Sequence, residues 1–362
     1  METHSRLAPS SAEQWINCPA SVALQEQHPE DKDSQDALDG QDAHALGACR
    51  LGGGSEVVLS NPTDEVERAV QIYVAAVLSV SKGGLVNVER RVDIGIVHPE
   101  CFGTPDVWWH DTINDVLHVW DFKFGWGIVE AIRNWQLVLY ALGISTTVQF
   151  KTVELHIVQP RPFHNDGPVR TWRISRGELY DWLPAAKFAA QKVMSSYADC
   201  KTGRHCRHCS ALYACDTAAQ AVLYAIDVSG RATAPTPSPE RIGFELTVLR
   251  RAEEMIKHRL KATEASALSM CKMGTTIPGW TQEYGAGRVN WKDGQADQVR
   301  AMAGLYGAVL DKPLELITPT QAIHAGLPEE IVKMYTEKKP GAAKMVPINF
   351  DKLQIAFGGS DK

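Results

Sequence analysis

The sequence contains no apolar run of the roughly 20 residues that a transmembrane helix needs. Its first residues, Met1 to Arg6, lack the basic and apolar segments of a secretory signal peptide. It has no excess of basic residues either, because 37 Lys and Arg stand against 43 Asp and Glu, for a formal net charge of −6. These absences argue against a membrane protein, a secreted protein and a protein that coats DNA with its whole surface, and we expect a cytoplasmic protein.

The sequence also lacks the motifs of nucleotide-driven enzymes. The triplet Gly52-Gly53-Gly54 is not followed by Gly-Lys-Ser or Gly-Lys-Thr, so it does not form a phosphate-binding loop. No helicase motif is present. Any unwinding of DNA would therefore have to come from a partner protein.

What the sequence does contain is eight cysteines, which in a cytoplasmic chain suggest metal or cluster binding more than disulfides. Cys206 and Cys209 form a C-x-x-C chelating pair, and Cys215 follows shortly after. Zinc and iron–sulfur sites usually have four ligands, so either the fourth ligand is distant in the sequence or the site is incomplete. Cys18 and Cys200 are the two candidates, and the residues alone leave both zinc and an iron–sulfur cluster open.

The periodicity of apolar residues predicts alternating helices and strands. We expect an α/β fold in which a central mixed β-sheet is flanked by helices, followed by a helical C-terminal extension. The predicted helices cover residues 36–50, 64–80, 130–143 and 177–197, and the predicted strands cover 86–94, 107–109, 116–124, 151–159 and 169–174.

A segment rich in Ser, Thr and Pro, residues 228–240, predicts a linker between two regions. Residues 1–227 then form the core with the cysteines, and residues 241–362 form a mostly helical region to which we assign no role. Ser238-Pro239 is typical of a helix start, and this helix should run to about Lys272. A β-like piece at 279–289 and helices near 295–305 and 318–324 should follow.

The chain is organised around Gly103-Thr104-Pro105-Asp106 and Asp121-Phe122-Lys123. Each motif adjoins a strand, and the polar segment between these strands predicts a hairpin. Asp121 and Lys123 are two residues apart, so their side chains share one face of the strand. An acid and a base at the end of an apolar strand suit a metal site with a neighbouring cation.

Hydrolysis of a phosphodiester requires a positioned metal ion, an activated water and stabilisation of negative charge. Asp106 and Asp121 offer the oxygen ligands that Mg²⁺ or Mn²⁺ prefers, and His44 offers a nitrogen that favours Mn²⁺. Lys123 could activate the water or neutralise the phosphate. Gln136 and Tyr140, four residues apart on one helical face, could orient both. Glu89 lies either on the same inner face or on a solvated one.

Together these residues resemble the PD-(D/E)-x-K nuclease superfamily, and within it the RecB-like branch that carries an iron–sulfur cluster. The resemblance extends to CRISPR-associated exonucleases, AddB-type subunits and phage or prophage proteins. It implies a restriction-endonuclease-like core, with metal ligands at His44, Asp106 and Asp121 and a catalytic lysine at Lys123. It rests on four motifs in order: Gly40-x-x-x-His44, Gly103-x-Pro105-Asp106, Asp121-x-Lys123 and Gln136-x-x-x-Tyr140.

The same resemblance implies a [4Fe–4S] cluster that fastens the two ends of the core together. In the cluster-bearing relatives one cysteine precedes the core and three follow it. Cys18 matches the first, and Cys206, Cys209 and Cys215 match the other three, which favours Cys18 over Cys200. Asp121 stands where many relatives have Glu, and this shortens the reach of the side chain.

The sequence therefore predicts a metal-dependent DNA nuclease, first of all an exonuclease acting on single- or double-stranded ends in phage recombination or DNA processing. A catalytically inactive DNA-binding or assembly component and a structure-specific endonuclease are the alternatives. A recombinase or helicase partner and a homo-oligomer are compatible with this function. If a phage encodes the chain, it acts in the host cytoplasm.

Overall fold

A computed structural model of the chain describes residues 5–28, 35–53, 64–230 and 238–280, together with residue 330. The chain divides into two compact units, residues 1–282 and residues 283–362. The elements predicted at 295–305 and 318–324, and nearly all of 279–289, lie outside the described residues. The predicted linker at 228–240 is described only at its ends, where one helix stops at Gly230 and another starts at Pro239.

Helices surround the sheet and continue beyond it. None of those in the described ranges is long and apolar enough to cross a membrane. Short 3₁₀ turns lie at Pro9–Ser11, Arg204–His208 and Leu212–Ala214. The helices are α1 (Ala12–Asn17), α2 (Ser21–Gln27), α3 (Gln35–Arg50), α4 (Asp64–Ser81), α5 (Trp135–Ile144), α6 (Arg176–Tyr180), α7 (Leu183–Val193), α8 (Asp216–Gly230) and α9 (Pro239–Lys272).

The strands form a five-stranded sheet and a two-stranded one. In the larger sheet the order is β1-β4-β5-β6-β7, and only the pair of β5 and β6 is parallel. The predicted α/β fold with a central mixed sheet flanked by helices is confirmed, and so is the hairpin of β4 and β5. The strands are β1 (Asn87–Val88), β2 (Val92–Asp93), β3 (Phe102–Gly103), β4 (Val107–Asp111), β5 (Val116–Phe122), β6 (Thr152–Val158) and β7 (Val169–Ser175).

Three predicted elements were wrong in extent. The strand predicted at 86–94 is broken at Glu89, whose φ of 43° lies in the left-handed region. The helix predicted from Glu130 starts at Trp135, because the Asn134 side chain caps it by accepting a hydrogen bond from the Leu137 amide. The helix predicted over 177–197 is two helices, α6 and α7.

The core has a layer on each face of the sheet. On one face α5 and α7 pack on the odd-numbered apolar residues of β5, such as Leu117 and Val119. On the other face α3 and α4 pack on its even-numbered residues, such as Trp120 and Phe122. All seven residues of β5 are buried, because the strand is the middle one of the five and is covered on both faces. Asp121 is therefore a carboxylate inside the core.

Candidate active site

Asp106 lies just before β4 and is held from two sides. Its Oδ1 is 3.3 Å from Nδ1 of His44 on α3, and its Oδ2 accepts a hydrogen bond of 2.6 Å from the Phe122 amide. Burial would raise the pKa of Asp106, but His44, the Phe122 amide and Lys123 hold it below its ordinary value. Burial would likewise lower the pKa of His44, but Asp106 outweighs it and raises that pKa. The helix α3 thus reaches the end of the hairpin through one ion pair.

Asp121, Lys123 and Gln136 form a closed triangle beside Asp106. Lys123 Nζ lies 2.9 Å from Asp121 Oδ2 and donates to Gln136 Oε1 over 3.0 Å. Gln136 Nε2 in turn donates to Asp121 Oδ1 over 2.7 Å. The amide therefore uses its acceptor on the ammonium and its donor on the carboxylate, and the helix α5 fixes both side chains at the end of β5.

The charges at this site suit a cation in addition to Lys123. Burial and the neighbouring Asp106 raise the pKa of Asp121 in spite of Lys123. Burial lowers the pKa of Lys123, but the two carboxylates outweigh it and keep the ammonium charged. Asp121 Oδ2 is buried and has no hydrogen bond of good geometry, only the ion pair with Lys123. A buried oxygen with spare acceptor capacity, a second carboxylate and an imidazole are donors that a divalent ion uses, but the ligand atoms of His44, Asp106 and Asp121 do not all lie within 4.8 Å of one another in the described structure.

Tyr140 lies in the same site but points at the backbone. Its hydroxyl donates to the Thr104 carbonyl over 3.0 Å, and its ring would touch a side chain added at Gly103. Burial raises its pKa, so the hydroxyl stays protonated. In the described geometry Tyr140 positions the segment that leads to Asp106. Its predicted role at the substrate stays a prediction.

Glu89 lies at the rim of the site. Its amide donates to the Asp106 carbonyl over 3.0 Å, at the break between β1 and β2. Burial and the neighbouring Asp106 raise the pKa of the Glu89 carboxyl, while His44 lowers it. The side chain is exposed, so it faces the solvent beside the two carboxylates. Its backbone is left-handed, with a φ of 43°, and the residue lies between β1 and β2.

The loop that follows Lys123 is held by a buried polar pair that the sequence did not reveal. Gln159 donates to the carbonyls of Gly125 and Gly127 over 2.8 Å each and accepts from the Val129 amide over 3.0 Å. Arg170 donates to Gln159 Oε1 over 2.6 Å. The loop is thus anchored from within, while Trp126 at its tip is 61% exposed. A buried Gln directly after an apolar strand was the available signal.

The cysteines form a second group, near the C-terminal end of α1, which Cys18 follows directly. Cys18 Sγ lies 3.9 Å from Cys200 Sγ, which lies 3.6 Å from Cys215 Sγ. Cys206 and Cys209 line the same small cavity. The four residues predicted to hold the cluster are therefore neighbours, and Cys200, the alternative fourth ligand, lies among them.

The spacing of these sulfur atoms bears on the choice of metal. In a tetrahedral zinc site, with Zn–S bonds of about 2.3 Å, all sulfur atoms lie about 3.8 Å from one another. Among the described residues no three cysteine sulfurs lie within 4.8 Å of each other. The distances of 3.9 Å between Cys18 and Cys200 and 3.6 Å between Cys200 and Cys215 are near the zinc value, but they join only pairs of sulfur atoms, so the spacing does not decide between zinc and a cluster.

Fold and site together define an α/β protein with a mixed sheet and a buried Asp–Asp–Lys site. The chain belongs to the family described as "Protein of unknown function (DUF2800)", whose model matches residues 4–352. It is also similar to a solved structure described as "Crystal structure of SSO0001", with 13% identity over 58% of this chain and 85% of that one. The TM-score of 0.28 is too low for this likeness to inform the fold or the function.

Proposed function

We propose that this protein is a metal-dependent DNA nuclease of the PD-(D/E)-x-K type, an exonuclease that acts on DNA ends. The observation that carries the proposal is the buried convergence of Asp106, Asp121 and Lys123, of which the last two are joined by Gln136. Titratable groups whose pKa values are shifted by burial and by charged neighbours cluster at functional sites, and this group contains two carboxylates, an imidazole and an ammonium. The RecB-like assignment, with a phage or prophage origin, is part of the same proposal.

Asp106, Asp121 and His44 would hold Mg²⁺ or Mn²⁺. The ion would polarise a phosphate oxygen and lower the pKa of a bound water. His44 already pairs with Asp106 and would exchange that contact for the ion. The mixed oxygen and nitrogen donor set favours Mn²⁺ over Mg²⁺.

Lys123 supplies a fixed positive charge. Because its pKa is raised, the ammonium is protonated at neutral pH and stabilises negative charge on the phosphate instead of accepting a proton. Gln136 holds the side chains of Lys123 and Asp121 in fixed positions, so that the ammonium group of Lys123 keeps a constant distance from the proposed metal ligand Asp121. Preorganisation of this kind costs no rearrangement at the moment of reaction.

Trp126 gives the DNA a surface to lie on. Its ring is exposed at the tip of the loop that begins after Lys123, and Gln159 keeps that loop rigid. Every base has a π-face, so an exposed and rigid indole binds a single strand without regard to its sequence. A separated DNA strand, as found at a frayed end, would then lie beside the site.

A [4Fe–4S] cluster on Cys18, Cys206, Cys209 and Cys215 would fasten α1 to the segment after α7. These two parts of the chain are about 180 residues apart in sequence but meet at the sulfur atoms. The Lys201 amide donates to Cys18 Sγ over 3.4 Å, as amides do toward thiolate ligands. The cluster's role here is structural.

The test is cleavage of labelled single- and double-stranded DNA with Mn²⁺ or Mg²⁺. We expect degradation from the ends of linear DNA and none of a closed circle, while Asp121→Ala and Lys123→Ala abolish cleavage with an unchanged circular dichroism spectrum. Cleavage of the circle would instead show an endonuclease at the same site. Binding of DNA without any cleavage would show an inactive binding component, and full activity in both variants would refute the assigned site.

A further inference from the structure

A second group of potential metal ligands lies on the opposite face of the sheet. His118 on β5 and Glu154 and His156 on β6 share this face with Trp120, since all four positions are even-numbered and the register pairs His118 with Glu154. Asp121 is odd-numbered and points to the other side. The group is therefore separate from the candidate active site, although both lie on β5.

The three side chains converge on one point. His118 Nδ1 is 3.1 Å from His156 Nε2 and 3.4 Å from Glu154 Oε2, and the last two atoms are 3.8 Å apart. A tetrahedral ion with bonds of about 2.0–2.2 Å spaces its ligand atoms by about 3.3–3.6 Å. The observed triangle thus matches three corners of such a tetrahedron.

Surrounding contacts orient each ligand. His156 Nδ1 lies 2.8 Å from the Thr171 hydroxyl, and when this nitrogen donates, Nε2 presents its lone pair to the other two ligands. Glu154 uses Oε1 to accept from Arg173 over 3.1 Å, which leaves Oε2 for the centre of the triangle. The imidazole of His118 makes stacked contacts with the indoles of Trp109 and Trp120. Burial and the neighbouring His118 lower the pKa of His156 to about 3, so its ring is neutral.

We propose that His118, Glu154 and His156 bind a divalent transition-metal ion of the Zn²⁺ class that joins β5 to β6. Two imidazoles and one carboxylate suit Zn²⁺, Co²⁺ or Ni²⁺ and are a poor set for Mg²⁺ or Ca²⁺. The two histidines are buried, while Glu154 is partly exposed and lies beside the exposed Arg173, so the ion enters from that side. The fourth position is left to water.

The ion would stabilise the one parallel strand pair of the sheet. That pair ends at Asp121 on β5 and Val158 on β6, and the Lys123 amide donates to the Val158 carbonyl over 2.8 Å. A metal bridge between these strands thus supports the edge at which the candidate active site lies, without contacting it. This inference stands on its own geometry and does not depend on nuclease activity.

The experiment is titration of the metal-free full-length protein with Co²⁺, followed by visible absorption. We expect one equivalent of Co²⁺ to give the d–d bands of a tetrahedral ion with nitrogen and oxygen ligands, and Zn²⁺ should displace it. Any thiolate charge-transfer bands come from Co²⁺ at the cysteines and should be the same in the histidine variants. His118→Gln and His156→Gln should weaken this binding at least about 100-fold, and Thr171→Val by about 10- to 100-fold.

Two control variants separate this site from the others. Asp121→Asn removes a ligand of the candidate nuclease site and His110→Gln removes a nearby histidine outside the triangle, and both should keep the bands. The proposal is overturned if the native protein shows no such bands, or if they persist in both histidine variants. Should those variants fail to fold, an undiminished affinity in folded Thr171→Val overturns it instead.

Discussion

At the scale of residues, the side-chain amide of Gln136 joins the two charged groups of the candidate site that lie at the end of β5. Gln136 is the only described side chain that hydrogen-bonds to both Lys123 and Asp121, and it does so from a helix. Tyr140, one turn further along α5, contacts the Thr104 carbonyl instead. The two residues of the Gln-x-x-x-Tyr motif therefore act on different parts of the site, one on the charged groups and one on the backbone before Asp106.

Substitution of Gln136 and substitution of Tyr140 should lower the cleavage rate by unequal factors. Gln136→Ala leaves Lys123 and Asp121 to pair without their common partner, and we expect DNA cleavage to fall by about 10- to 100-fold. Tyr140→Phe keeps the ring and loses one hydrogen bond, which costs about 1 kcal/mol of stability and less than about 10-fold in rate. Single-turnover cleavage and urea unfolding measure the two quantities. A larger rate loss in Tyr140→Phe would place its hydroxyl at the substrate.

The sequence predicted which neighbouring residues of the candidate site share a face of a strand or a helix. The period of two along β5 predicted that Asp121 and Lys123 share a face, and the period of helices joined Gln136 to Tyr140. The ion pair of Asp106 with His44 depends on how α3 packs on the sheet, and the convergence of His118 with Glu154 and His156 depends on which strand lies beside which. Pairing of distant strands is a tertiary property that local spacing does not carry.

At the scale of elements, the packing of α3 on α4 determines where His44 lies. A Cβ atom at Gly47 would lie 2.9 Å from the ring of Tyr73, which stacks on Phe122 with 4.6 Å between ring centroids. His44, one turn before Gly47, also contacts Phe122, at 5.3 Å between centroids. The absent side chain at Gly47 is thus what lets α3 approach the sheet closely enough to pair with Asp106.

Two glycines of α3 offer a matched comparison. Gly47→Ala should lower the free energy of unfolding by about 1–3 kcal/mol, because the added methyl group overpacks the contact with Tyr73. Gly40→Ala has open space around it and should raise that free energy by up to about 1 kcal/mol, because alanine favours the helix. Denaturant unfolding of both variants checks this. Equal effects of the two changes would show that the close packing of α3 on α4 does not matter.

The order and type of the main elements followed from apolar periodicity, while their breaks did not. The strand predicted at 86–94 alternates well, and only the left-handed backbone at Glu89 divides it. The helix predicted over 177–197 likewise has continuous periodicity across the break before Leu183. At the first of these breaks the Glu89 amide donates to the Asp106 carbonyl, a contact between residues distant in sequence that apolar periodicity does not reveal.

At the scale of the whole molecule, the cysteines join the beginning of the described chain to the segment after the sheet. The short spacing of Cys206, Cys209 and Cys215 predicted a shared site for these three. The spacing along the sequence did not decide between Cys18 and Cys200 as the fourth ligand. In the structure the sulfur atoms of both lie near another cysteine sulfur. The structure leaves both within reach of the same cavity.

Replacement of single cysteines should identify the ligands. Protein purified without oxygen should be brown and absorb near about 400 nm, as iron–sulfur clusters do. Cys18→Ser should lose this absorption and lower the melting temperature, whereas Cys200→Ser and the distant Cys271→Ser should retain it. Loss of the absorption in Cys200→Ser but not in Cys18→Ser would identify Cys200, and not Cys18, as the fourth ligand. A colourless protein that contains zinc would contradict the cluster.

The most direct test of the nuclease proposal is single-turnover cleavage of end-labelled linear DNA, measured with Mn²⁺ and with a chelator, together with DNA binding by the same protein. We expect metal-dependent release of nucleotides, and at least a 100-fold slower release by Asp106→Asn and Asp121→Asn with DNA binding retained. Asp93→Asn, the same change at an exposed residue of β2, should cleave at the native rate. Cleavage that survives both active-site changes, or that proceeds without metal, would contradict the proposal.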